Sequence, residues 1–128
     1  VSILAQQAGA SAIRPNIGRY ATEQEALDAV VARLVEALDP QAIWLFGSRA
    51  RGDHRPDSDF DLLVVAKEGR WFGDAESDGY SEVYAPVRPT GVGCDVVPCD
   101  AELFEVGQAL ATSFVKRIAT EGREVYRA

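Results

Sequence analysis

Histidine occurs once, at His54, in a chain of 128 residues. That excludes a metal centre built from several imidazoles. Cysteine occurs twice, at Cys94 and Cys99. Two thiols cannot complete a structural zinc site, and so few give no disulfide framework. The expected setting is therefore a reducing, cytoplasmic one. No basic track runs through the sequence, and the formal net charge is -7. Broad electrostatic capture of nucleic acid needs a positive groove, so that function class is disfavoured. A small nucleotide whose charge is offset by magnesium remains compatible. The short apolar start, Val1 to Leu4, is read as neither a signal sequence nor a membrane span. No repeat or low-complexity tract occurs, and the length suits one compact domain with one core.

What is present is a sequence of clear punctuation. Residues Val1–Arg19 carry small residues and Pro15-Asn16, and read as an arm that packs over a domain edge or meets a partner. Thr22–Leu38 reads as a helix, with Thr22 as cap and Glu25 at the reciprocal capping-box position. Leu27, Val30, Val31, Leu34, Val35 and Leu38 form its apolar stripe. Asp39-Pro40 ends it, and Ala42–Phe46 follows as a buried strand. Gly47 breaks that strand, Ser48–Arg51 starts a short helix, and Gly52 closes it. Phe60–Val65 is a second, strongly β-prone strand. A helix is expected near Asp78–Ala85 and a third strand over Gly91–Val97, ended by Pro98. Asp100 caps a further helix with Leu103, Phe104 and Val106 inward, broken at Gly107. Leu110, Phe114, Val115 and Ile118 mark another helical face, and Glu124–Tyr126 a terminal strand. The expected fold is α/β (α+β): a small mixed sheet covered by helices on one face, in one domain over residues 20–128.

The run from Leu45 to Val65 carries the chemistry. Side chains two apart on a strand share a side, so Asp59 and Asp61 stand together while Phe60 and Leu62 point into the core. Two unpaired carboxylates held so close are costly, and a magnesium ion, which favours oxygen ligands, offsets their repulsion. Asp95 lies in an otherwise apolar strand, and joins the pair if that strand runs beside Phe60–Val65. Gly47 permits close backbone approach, and the Ser48 hydroxyl with the amides at a helix start can contact phosphates. Arg49 or Arg51 can assist there, or can instead pair with Asp53, Asp57 or a nearby carbonyl. His54 and Arg55 sit in the loop within reach of a substrate but are assigned no role, since a lone loop His is more often solvated than catalytic. A Gly-Ser turn or an Asp-x-Asp alone is usually structural; the spacing of both, with Asp95 after them, is what points to a site.

The composite Gly47-Ser48-Arg49-Ala50-Arg51-Gly52, then Ser58-Asp59-Phe60-Asp61-Leu62, resembles the nucleotidyltransferase superfamily with the polymerase-beta-like fold. The likeness is to its small single-domain members, the minimal nucleotidyltransferases, and spans Thr22 to Tyr126. By that resemblance Gly47 and Ser48 match the phosphate-binding pair, Asp59 and Asp61 the paired metal ligands, and Asp95 the third carboxylate. The implied reaction is in-line attack by an acceptor hydroxyl on the α-phosphorus of a nucleoside triphosphate, ATP with Mg2+, releasing pyrophosphate. Many such relatives act beside a helical HEPN-type protein in a toxin–antitoxin pair and add AMP to its tyrosine. That setting is expected here, since the chain has no second domain of its own to hold an acceptor. The enzymatic alternative is adenylylation of a small hydroxylated molecule such as an aminoglycoside. The alternative of another class is a non-catalytic nucleotide-binding regulatory module. The segment Glu68–Pro89, with Trp71, Phe72, Tyr80 and Tyr84, either shapes the acceptor side, makes a subunit contact (homo-oligomer) or packs in the core.

Overall fold

The computed structural model describes residues 15–74, 76–110 and 113–128. Most of the arm expected over Val1–Arg19, including the apolar start, lies outside the described residues. Helix α1, Glu23–Leu38, begins where the sequence expects it. The Thr22 hydroxyl accepts from the Glu25 amide at 3.1 Å, and the Glu25 carboxylate accepts from the Ala21 amide at 3.1 Å. Ala26, Leu27, Val30 and Leu34 are buried along one stripe. Each such Leu or Val is worth about 1.5–3 kcal/mol on leaving water. Asp39 ends the helix in the left-handed region, at φ 46°, with its amide returned to the Val35 carbonyl.

Four strands follow: β1 Ala42–Phe46, β2 Phe60–Val65, β3 Cys94–Cys99 and β4 Arg123–Arg127. Their order is β3-β2-β1-β4, with β1 antiparallel to both neighbours and β2 parallel to β3. The parallel pair needs a long crossover. The chain from Ala66 to Gly93 supplies it, through the short helix α3, Tyr80–Tyr84, and a 3-10 turn, Arg88–Thr90. Phe72, Val83 and Val87 of this segment are buried and Trp71 packs against them, while Tyr80 and Tyr84 face solvent. Among the described residues no helix is long and apolar enough to cross a membrane.

The mixed sheet agrees with the expectation, but its cover does not lie on one face. Ile43, Leu45, Phe60, Leu62, Val64 and Val96 pack against α1 and the crossover. Ala42, Leu63, Val65 and Cys99 pack on the other face, against Phe104 of α4 (Ala101–Ala109) and Val115 and Ile118 of α5 (Phe114–Glu121). Period-2 alternation in β1 and β2 gives both faces apolar residues, so both need a layer. Leu103 and Val106 point outward rather than in, as do Leu110 and Phe114. Gly107 does not break α4. A Cβ there would sit 2.7 Å from that of Val115, so the glycine lets α4 and α5 approach. Pro98 lies inside β3, which is an edge strand where a missing amide is tolerated.

Candidate active site

β1 ends at Phe46, and Gly47 takes φ 73° and ψ -158°. That region is essentially restricted to glycine. A Cβ added at Gly47 would collide with the Asp61 carboxylate, so the turn is seated directly on that acid. Ser48–Arg51 then forms a single helical turn, α2, whose start carries no side-chain cap. Gly52 closes it at φ 86°, donating its amide to the Ser48 carbonyl at 2.9 Å.

The loop from Asp53 to Ser58 delivers the first acid. Ser58 is locked by an amide donated to the Arg55 carbonyl at 3.0 Å and by a hydroxyl that accepts from the Arg55 amide at 2.9 Å. Asp59 follows at the entrance to β2. Phe60 is fully buried and Asp61 is half-buried on the opposite face. The parallel register sets Asp61 directly beside Asp95, and the antiparallel register sets it beside Phe46. Burial raises the proton affinity of Asp61 above its ordinary value, and the charges of Asp95 and Asp59 raise it further, against the opposing Arg51. Asp61 thus senses a carboxylate on its own strand and one on the next. Among the described residues no three His, Cys, Asp or Glu side chains are already gathered into a metal cage. The donor set is all carboxylate and mutually repelling, with Arg51 near enough to offset part of its charge, which fits a hard divalent ion such as Mg2+.

The two arginines of the turn have different surroundings. Arg51 is exposed and pairs with Asp53 at 3.2 Å, within electrostatic reach of Asp61. Arg49 is buried. Its Nε donates to the Ser58 carbonyl and its Nη2 to the Pro56 carbonyl, both at 3.0 Å. Nη1 meets Glu23 at 3.3 Å, and the guanidinium stacks over Phe60 at 4.3 Å. Its donors are spent holding the loop that carries Asp59. His54 joins the same Glu23 carboxylate, 3.3 Å from Nε2.

One residue near the acids is not expected from the sequence. Asn16, in the arm, donates its carboxamide to Asp59 Oδ1. A contact across 43 positions leaves no local pattern; the Pro15-Asn16 pair is the only sequence signal that marks the spot. The two cysteines are free thiols. Burial and the nearby acids push the Cys94 thiol up to about 12, and burial pushes Cys99 up to about 11. Both stay protonated at neutral pH. A cavity of about 810 Å³ opens at the other end of the sheet, lined by Ala42, Val65, Lys67 and Asp100 among others, and takes in none of the three acids.

The family profile described as "Nucleotidyltransferase domain" matches residues 27–126. The chain belongs to the nucleotidyltransferase domain family. It is an enzyme of that class, built on the polymerase-beta-like fold. No curated protein matches it significantly. Similar solved structures include these two. One is a candidate nucleotidyltransferase from Sulfolobus solfataricus, at 21% identity and a TM-score of 0.47, covering 77% of this chain and 74% of that one. The other is a toxin–antitoxin structure with AMP-PNP, at 20% identity and a TM-score of 0.52, covering 79% of this chain and 73% of that one. The second shares the fold of this nucleotidyltransferase; identity so low carries nothing more.

Proposed function

We propose that this nucleotidyltransferase moves AMP from ATP, with Mg2+, onto a tyrosine hydroxyl of a HEPN-type helical partner, in a cytoplasmic toxin–antitoxin pair. The observation that carries the chemistry is the pairing of Asp61 with Asp95, against the glycine turn that starts α2. Asp59, Asp61 and Asp95 would hold the cation. Bound magnesium would offset their charge and stabilise the charge that develops on the transferring phosphorus group. Gly47 and Ser48 contact the terminal phosphates through backbone amide and hydroxyl, and Arg51 swings from Asp53 to assist. Asp95, exposed at the sheet edge, orients the attacking hydroxyl and accepts its proton. The hydroxyl oxygen attacks the α-phosphorus, the bond to the bridging oxygen breaks, and pyrophosphate leaves.

A protein acceptor is supported by the surface beside the acids. Phe114 is about half exposed. Phe114 packs edge-on to Phe46 at 5.5 Å, and Phe46 is the strand partner of Asp61. A half-exposed aromatic ring beside a catalytic face suits a protein surface better than a small polar acceptor. The toxin–antitoxin structure with AMP-PNP shows that this fold occurs in such a setting. Incubating the chain with ATP, Mg2+ and the helical protein encoded beside it should add the mass of one AMP per modified tyrosine. A folded Asp59→Asn, Asp61→Asn double variant should add none. An unmodified partner with its tyrosine accessible, or transfer by the double variant, contradicts the proposal.

A further inference from the structure

Residues 16–18 are stitched to the domain by backbone. The Asn16 amide donates to the Pro56 carbonyl at 3.0 Å, and the Asn16 carbonyl accepts from the Gly93 amide at 3.3 Å. Ile17 bridges Val92 antiparallel. Ile17 and Tyr20 pack against the core. The segment therefore ties together the two approaches to the site, the loop before β2 and the residues before β3. Its side chain does something the backbone does not require. The Asn16 carboxamide lies directly over Gly93, where a Cβ would take its place, and donates to Asp59 Oδ1. Asp59 is exposed at a strand entrance, where a carboxylate would otherwise rotate freely.

We infer that Asn16 is a positioning residue for Asp59. Its carboxamide holds Oδ1, which fixes the carboxylate plane and leaves Oδ2 turned to a cation shared with Asp61. A neutral donor suits this role because it orients the ligand without cancelling the charge that attracts the ion. Gly93 is the seat that admits the carboxamide. The inference rests on the reading of Asp59 as a metal ligand, and concerns which other residue that ligand needs.

Asn16→Ala removes the carboxamide and keeps the three backbone contacts, so the fold is retained. The test is titration of the metal-free full chain with Mn2+, following free ion by electron paramagnetic resonance, for wild type, Asn16→Ala, Gly93→Ala and Asp61→Asn. Asn16→Ala should bind Mn2+ about tenfold more weakly, the usual scale for groups that orient a ligand. Gly93→Ala, whose methyl displaces the carboxamide, should shift affinity the same way, and both should raise the Mg2+ concentration that half-saturates transfer. Wild-type affinity in Asn16→Ala, with affinity lost in Asp61→Asn, overturns the role of Asn16 and leaves the metal site standing. Tighter binding in Asn16→Ala also overturns it, since the carboxamide would then compete with the ion. Wild-type affinity in Asp61→Asn would remove the metal site itself.

Discussion

Asp61→Asn should abolish transfer and at the same time raise the melting temperature of the metal-free protein at pH 7. The loss of activity should be on the order of 10³-fold, because a cation ligand supplies several kcal/mol of charge stabilisation in the transition state. The gain in stability follows from the same charge. Burial first, then Asp95 and Asp59, raise the Asp61 proton affinity above its unfolded value of 3.8. Between that value and its raised folded value, the folded state binds more protons than the unfolded one. Stability therefore falls as pH rises through the window, and the penalty is complete above it. Asparagine is similar in shape and never carries the charge, so it escapes the penalty. The advantage should vanish below about pH 3.8, where the carboxyl is protonated in both states. Mg2+ should stabilise the wild type and narrow the gap. Thermal melts across pH, with and without Mg2+, measure all of this. A less stable variant at pH 7 would mean that the folded protein favours the Asp61 charge.

Gly47→Ala carries the second large effect. At φ 73° and ψ -158° any side chain is strained by about 1–3 kcal/mol. The added methyl would also occupy the space of the Asp61 carboxylate. Either the turn moves away from β2 or Asp61 rotates off its line with Asp95. Both displace a reacting group by about 1 Å, a shift that can cost about 10²-fold in rate. The expected variant is folded, melts lower than wild type and transfers about a hundredfold more slowly. Wild-type rates in Gly47→Ala would show that the turn does not position the chemistry.

These two effects come from residues whose placement is readable in the chain, because local rules set it. A period of two puts Asp59 and Asp61 on one side, and only a glycine can end β1 as this strand ends. The apolar stripe of α1 and its Thr22 cap are local as well, and both agree with the structure. The side-by-side placement of Asp61 and Asp95 is not local. It depends on β3 lining up parallel to β2 after a crossover of nearly thirty residues, and the sequence could state it only as a condition. Arg49 and Arg51 differ by two positions in an identical-looking motif, yet one is buried under the loop and the other is free to solvent. The carbonyls of Pro56 and Ser58 choose between them, and no pattern in the motif reports that choice. Leu103 and Val106 read as core because they are apolar on a helix. The neighbours that would have covered them are not there among the described residues, and both stand about half exposed instead. Asn16 is hidden for the plainest reason: its partner is 43 residues away.

One divalent ion and one triphosphate meet, on this account, where Asp59, Asp61 and Asp95 face the Gly47-Ser48 turn. A crystal of the chain grown with Mn2+ and a non-hydrolysable ATP analogue tests that meeting most directly, through the anomalous signal of the metal. The expected peak is bounded by oxygens of these aspartates and the triphosphate, with the terminal phosphates on the Ser48 amide. Metal and triphosphate bound together in the cavity beside Lys67 and Asp100, with the three aspartates free of both, would contradict it.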